Sequence, residues 1–190
     1  MNIIKTEIEG VIILKPRIFG DHRGYFMESF SEKNFMEHVC NTHFVQDNES
    51  SSTFGVLRGL HFQKPPFAQS KLVRVVRGKV LDIVVDIRKG SPTFGQHVST
   101  IMSGENKLQL FVPRGFAHGF VVLSPDVIFQ YKCDNYYAPE SEGAIAYNDP
   151  ALSIDWQIDG ADVQLSEKDK QNPLLKDMDW LFDFDEKLYD

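Results

Sequence analysis

The sequence predicts a mainly β protein, an antiparallel sandwich or barrel, and three observations carry that expectation. Residues 1–150 consist of short β-rich runs bounded by Gly, Pro, Asn and Ser. Between most of those runs there is no helix-length segment, which parallel strands would need for their crossovers. The 190 residues, 42% apolar and 12% aromatic, are enough to bury one core of ordinary size.

The elements follow in order. "IIKTEI" (3–8) and "GVIILKP" (10–16) open the chain as two strands parted by Gly10. "SEKNFMEHVC" (31–40) predicts a helix, with Ser31 as its N-cap and Phe35, Met36 and Val39 on one face. "VLRGLHFQ" (56–63) is an extended stretch interrupted by Gly59. "LVRVVRG", "KVLDIVVDI", "HVSTIM", "KLQLFVP", "HGFVVL" and "DVIFQYKC" then read as strands up to Cys133. After about residue 150 the chain turns more acidic. There "LSEKDKQNP" (165–173) reads as a loop or helical turn, and "DMDWLFDFDEKLYD" (177–190) predicts a C-terminal amphipathic helix. With no internal repeat and no long linker, residues 1–176 are expected to form one domain and 177–190 a tail packed on it.

Charge and cysteine usage narrow the function classes. A net charge of -7 argues against a nucleic-acid-binding surface, which needs clustered Lys and Arg. Cys40 and Cys133 form no Cys-x-x-Cys pair, so two unpaired thiols in a reducing compartment are expected rather than a disulfide framework or a zinc knuckle. Glu7, Glu9 and Gly10 divide the apolar residues near the amino terminus, so no export signal is read there. No apolar run approaches the roughly 20 residues that span a bilayer. The expectation is a cytoplasmic enzyme or binding module with no membrane partner.

The chemistry-bearing residues cluster in a few stretches. Arg58 and His61 share the 56–63 segment, but strand alternation does not by itself put them on one face, so Gly59 must help to aim them. A strand histidine is more often structural, and Arg58 taken alone reads equally well as a solvated cation. "PRGFAHGF" (113–120) delivers His118 into an apolar strand and resembles the second motif of the cupin superfamily. The first cupin motif supplies His-x-His and a following Glu for a metal; here Gln63 stands at the second His and "KPPFAQSK" (64–71) has no Glu. The barrel signal therefore stays and a metal site is not expected. Acid/base work remains for the imidazole. Asp169 is either its orienting carboxylate or a solvated loop residue. Tyr131, at the end of an apolar strand, is either a proton donor or a core phenol. Arg23, Arg58, Lys71 and Lys168 are candidate partners for an anionic substrate.

Taken together, "FGDHRGYFMESF", "FVQDNES", "GVLRGLHFQ", "KLVRVVRGKVLDIVVDIRKGSPTFGQ", "PRGFAHGF", "YKCDNYYAPESEG", "YNDP" and "LSEKD" resemble the dTDP-4-dehydrorhamnose 3,5-epimerase family. The resemblance implies a cupin-type jelly-roll antiparallel barrel, a homodimer, and no metal or organic cofactor. It implies epimerisation at C3 and C5 of dTDP-4-dehydro-6-deoxyglucose. By position, His61 resembles the catalytic base, Asp169 its dyad partner and Tyr131 the acid; in the enolate mechanism this implies, Lys71 or another donor near the C4 oxygen would stabilise the developing charge. By the same resemblance Arg23, Glu28, Gln46, Asp47, Asn48, Arg58, Lys71, His118, Glu142 and Lys168 line the nucleotide-sugar site, and Tyr137 stacks on thymine. Arg23 and Glu28 are the residues implied to reach the neighbouring subunit's pocket.

Overall fold

The computed structural model describes residues 1–189. In chain order its elements are β1 (Asn2–Lys5), β2 (Ile12–Lys15), β3 (Ile18–Asp21), β4 (Gly24–Met27), α1 (Glu32–His38), β5 (Gln46–Thr53), β6 (Leu57–Gln63), β7 (Lys71–Arg77) and β8 (Lys79–Asp86). Then come β9 (Arg88–Lys89), β10 (His97–Ser103), β11 (Gln109–Val112), β12 (Phe116–Val122), β13 (Asp126–Cys133), β14 (Glu142–Ala144) and β15 (Phe182–Asp183). Two antiparallel sheets, ordered β1-β2-β11-β7-β13-β5 and β10-β8-β12-β6-β14, make a cupin-like jelly roll.

Strand alternation places the core. Along β8, Val80 and Val84 join Val73, Val75, Phe120, Val127 and Phe129 between the sheets, while Leu81, Ile83 and Val85 face the other way. Each such side chain, fully buried, contributes about 1.5–3 kcal/mol relative to exposure. The outer face of the five-stranded sheet is closed by the later chain, through Ile145, Leu152, Trp156, Leu181 and Phe182. Helix α1 covers part of the outer face of the other sheet. Its Ser31 hydroxyl accepts the Asn34 N–H at 3.4 Å, and Phe35 packs edge-on to Phe44 and Phe111. Val39 joins that cluster, whereas Met36 is only half-buried and lies outside it.

The helix expected over the tail does not form. Residues 175–177 make a 3₁₀ turn, and Phe182–Asp183 instead pairs in parallel with β9. The reason lies in the i, i+2 spacing of Trp180 and Phe182, whose rings both pack on Phe62, 6.5 and 6.0 Å away between centroids. An extended chain puts two such residues on one side; a helix would not. Asp190, the last residue of that expectation, lies outside the described residues.

The chain end is tied to the barrel. The Tyr189 hydroxyl lies 2.6 Å from Ser70 Oγ and accepts the Arg114 N–H at 2.8 Å, while Arg114 donates to Asp134 and to the Leu188 carbonyl. Ser70 and Asp134 immediately flank Lys71 and Cys133, so this tie fixes the ends of β7 and β13 where they meet the cavity described next.

Candidate active site

Between the sheets lies a cavity of about 500 Å³ lined by Arg58, His61, Lys71, His118, Phe120, Tyr131, Lys168 and Asp169, among others. A second hollow, lined by Gln46, Asn48, Gln63, Tyr137 and Glu142, shares His61, Lys71 and Tyr131 with it, so the two meet on those three side chains.

Gly59 solves the aiming problem posed by the sequence. On β12 the pairing steps from His118 opposite His61 to Phe120 opposite Arg58, two residues against three, which is a bulge in β6. The extra residue lets Arg58 and His61 both face the cavity. Gly59 has φ +129°, and a Cβ there would lie 2.5 Å from the Gly119 Cα and 2.8 Å from the His118 carbonyl oxygen. Only glycine fits. Arg58 is then steadied by the Ser52 hydroxyl, which accepts from its Nη2 at 3.2 Å.

His61 Nε2 lies 2.5 Å from Asp169 Oδ1, and that carboxylate is nearly fully buried. Burial alone would raise the Asp169 carboxyl, but the bond and charge of His61, with support from Ser166 and Asn172, hold it below the ordinary carboxylate range. With Nε2 committed, Nδ1 is the ring nitrogen left for a ligand. Tyr131 enters from the opposite sheet, between Asn48 on β5 and Val73 on β7. Burial pushes its phenol above the usual value. Lys71, at the start of β7, is lowered by burial, against the opposing pull of Cys133 and of the carboxylates of Asp82 and Glu142. Cys133 close by is pushed up to about 11, again by burial, and so stays a neutral thiol at neutral pH.

At the mouth, Glu142 Oε2 takes the Lys168 ammonium at 2.5 Å and the Tyr137 hydroxyl at 3.1 Å. Burial works to raise Glu142, and Lys168 and Tyr137 together overcome it and lower it. The Tyr137 ring is exposed, its backbone N–H donates to Gln46 Oε1 at 3.3 Å, and Gln46 Nε2 donates to Asn48.

Eleven of the fourteen residues picked from the sequence, all but Arg23, Glu28 and Asp47, thus line these two hollows. Arg23 sits exposed at the tip of the β3–β4 hairpin, paired with Asp21, and Glu28 accepts from Asn34 Nδ2. The Asp47 side chain points to the other face of the sheet, where it binds Lys132 at 2.9 Å. Within one chain none of these three side chains reaches the cavity.

Other residues matter here that the sequence reading passed over. Asp82, fully buried, accepts from His118 Nε2 with both oxygens, at 2.9 and 3.0 Å. Its signal was legible: a carboxylate at position 82, flanked by apolar residues in "KVLDIVVDI", needs a partner. Gln63 spends its carboxamide on backbone, donating to the carbonyls of Phe67 and Tyr136 and accepting the Ala138 N–H. It is a loop clamp where a metal-binding cupin would carry a ligand. Among the described residues no three His, Cys, Asp or Glu side chains converge as a metal site, and no helix is long and apolar enough to cross a membrane.

The profile of the dTDP-4-dehydrorhamnose 3,5-epimerase family matches residues 5–177. The chain is 53% identical over 180 residues to the dTDP-4-dehydrorhamnose 3,5-epimerase of Shigella flexneri, covering 94% of this chain and 93% of that one. It superposes with TM-score 0.93 and 53% identity on the dTDP-6-deoxy-D-glucose-3,5-epimerase of Legionella pneumophila Philadelphia 1 in complex with dTDP-4-keto-L-rhamnose, covering 96% of this chain and 98% of that one. A 3'-monoepimerase from Streptomyces bikiniensis in complex with dTDP-quinovose is also similar, at 36% identity, TM-score 0.84, and 90% and 86% coverage.

Proposed function

Because the chain belongs to the dTDP-4-dehydrorhamnose 3,5-epimerase family and so is an isomerase, we propose that it inverts C3 and C5 of dTDP-4-dehydro-6-deoxy-D-glucose to give dTDP-4-dehydro-L-rhamnose. The observation that supports this most is the arrival of His61 and Tyr131 in one cavity from opposite sheets. A sugar ring lying between the sheets meets a base on one face and an acid on the other.

The C4 ketone acidifies the protons on C3 and C5. His61 Nδ1 takes one of them, the electron pair moves onto the C4 oxygen as an enolate, and Tyr131 returns a proton from the opposite face. Exchange with solvent resets both groups before the second carbon is inverted. Asp169 holds the His61 ring and stabilises its protonated form. The Lys71 ammonium faces the C4 oxygen, a contribution of roughly 3 kcal/mol for a well-placed donor. Arg58, His118 and Lys168 hold the anionic part of the substrate, and Tyr137 stacks on thymine. The nucleotide does not react; its binding orients the sugar.

We place Arg23 and Glu28 in a partner's site within a homodimer. The β3–β4 hairpin supports this, since Phe19, Tyr25 and Phe26 along it form an exposed aromatic patch. The two free cysteines fit a reducing, cytoplasmic setting.

The test is incubation with dTDP-4-dehydro-6-deoxyglucose in deuterated water. Label with inversion at both C3 and C5 is expected. The similar 3'-monoepimerase makes inversion at C3 alone the second reading, and absence of label at C5 would establish it. No label at either carbon would overturn the epimerase reading.

A further inference from the structure

A buried charge inside a barrel needs a physical reason. Asp82 lies on β8 between Val80 and Val84, both in the core, where an apolar residue would complete the packing. Desolvation disfavours its charged form, and that cost must be offset by partners. It has one bonded partner among the described residues, His118, which offers a single N–H to both carboxylate oxygens. The strand on its other side presents Thr100, whose buried hydroxyl has no partner among the described residues. His118 in turn lines the cavity beside Lys71.

We propose that Asp82 is a positioning residue of the reaction: it fixes the His118 ring against the substrate and supplies the buried negative charge that keeps Lys71 an ammonium facing the reacting ketone. This rests on the epimerase reading and adds to it a second carboxylate–imidazole pair, on the strand next to the first.

The charged surroundings are consistent. From β12 His118 is bonded to Asp82, and Lys71 on β7 lines the same cavity as His118; burial, the larger effect, raises the Asp82 carboxyl, while His118 and Lys71 pull it down. On β6, Arg58 and His61 line the same cavity. On β13, Tyr131 and Cys133 are both raised, and neutral near pH 7. On β14, Glu142 also acts on Lys71, but it is already engaged by Lys168. Asp82 is therefore the carboxylate near Lys71 whose charge is not spent on a second lysine.

Loss of the negative charge at position 82 makes the Lys71 ammonium less favourable, so its proton leaves at lower pH. Asp82→Asn keeps shape and an oxygen for the His118 N–H but removes the charge. In the deuterium assay, kcat is expected to fall about tenfold or more. The alkaline limb of the kcat profile should move down by about one pH unit, with KM changed by less than about threefold. Asp82→Glu, which retains the charge, should keep the limb near its wild-type position. Asp82→Cys serves as the neutral variant if Asn does not fold. Unchanged limbs in a folded neutral variant would overturn the assignment, whatever happens to the rate. So would failure of both neutral variants to fold while Asp82→Glu folds, since the carboxylate would then serve the fold. A wild-type enzyme that incorporates no label in the same assay would instead sink the epimerase reading.

Discussion

His61 and His118 face each other as paired residues on adjacent antiparallel strands, yet each ring gives its Nε2 to a different carboxylate, Asp169 at 2.5 Å and Asp82 at 2.9 Å. Neighbouring imidazoles are thus held in separate orientations by separate parts of the chain. One pairing leaves Nδ1 of His61 unengaged, the nitrogen to which the proposed mechanism assigns proton abstraction; the other ties His118 to the buried Asp82.

His61→Asn should abolish deuterium exchange at both C3 and C5. Nucleotide-sugar affinity should stay within about tenfold, because Arg58, Lys71, Lys168 and Tyr137 remain. Solvent exchange followed by NMR, alongside calorimetric binding, reads both quantities. Normal wash-in of deuterium would remove His61 from the base role.

Tyr131→Phe keeps the ring against Phe129 and loses only the hydroxyl. His61 still abstracts, so the enolate should be reprotonated mainly from the side it came from, giving exchange with retained configuration. Net epimerisation should drop roughly 10²-fold or more. Inversion at near wild-type rates would show the phenol to be structural.

Chelation should leave turnover intact. The carboxamide of Gln63 is consumed by three backbone groups of the loops at the cavity mouth, so the position that a metal-binding cupin gives to a ligand does structural work. Loss of activity in chelator, restored by one stoichiometric transition metal, would contradict this.

Acid stability should depend on Asp86. Burial alone would raise its carboxyl, but bonds from Arg88, Ser91 and Thr93 hold it low. A depressed carboxylate contributes stability that is full above its unfolded pKa, about 3.9, and is lost as pH falls through the folded value. Asp86→Asn should cost roughly 2–3 kcal/mol at pH 7. The gap to wild type should narrow as pH drops below about 4. Urea unfolding at both pH values tests it; a gap that widens in acid would refute the linkage.

How much of this was legible in the sequence varies with the physics. Apolar alternation marked the inner strands, and Ser31 with Phe35 marked α1, because local pattern and burial agree there. Strand β5 was missed since "QDNESSST" is polar, and it needs no apolar pair of faces as the last strand of its sheet. The tail was misread as a helix because its apolar residues suit either period until Phe62 supplies the surface. At the site, residue types and motif order pointed to His61, Tyr131 and Asp169. The outward turn of the Asp47 side chain, the bulge at Gly59 and the grip of Asp82 on His118 depend on cross-strand register, which no single segment encodes.

The His61–Asp169 pair joins residues 108 positions apart. That separation bears on when the molecule becomes an enzyme. Closing so long a loop carries an entropic cost, and contacts of this range form late in folding. A chain folded only through β14 has His61, Lys71 and Tyr131 on their strands but lacks the carboxylate at 169 and the cover that Trp156, Leu181 and Phe182 place over the five-stranded sheet. On the mechanism proposed above, chemical competence arrives with the last stage of assembly, and a partly folded molecule holds the proposed base without the carboxylate that orients it.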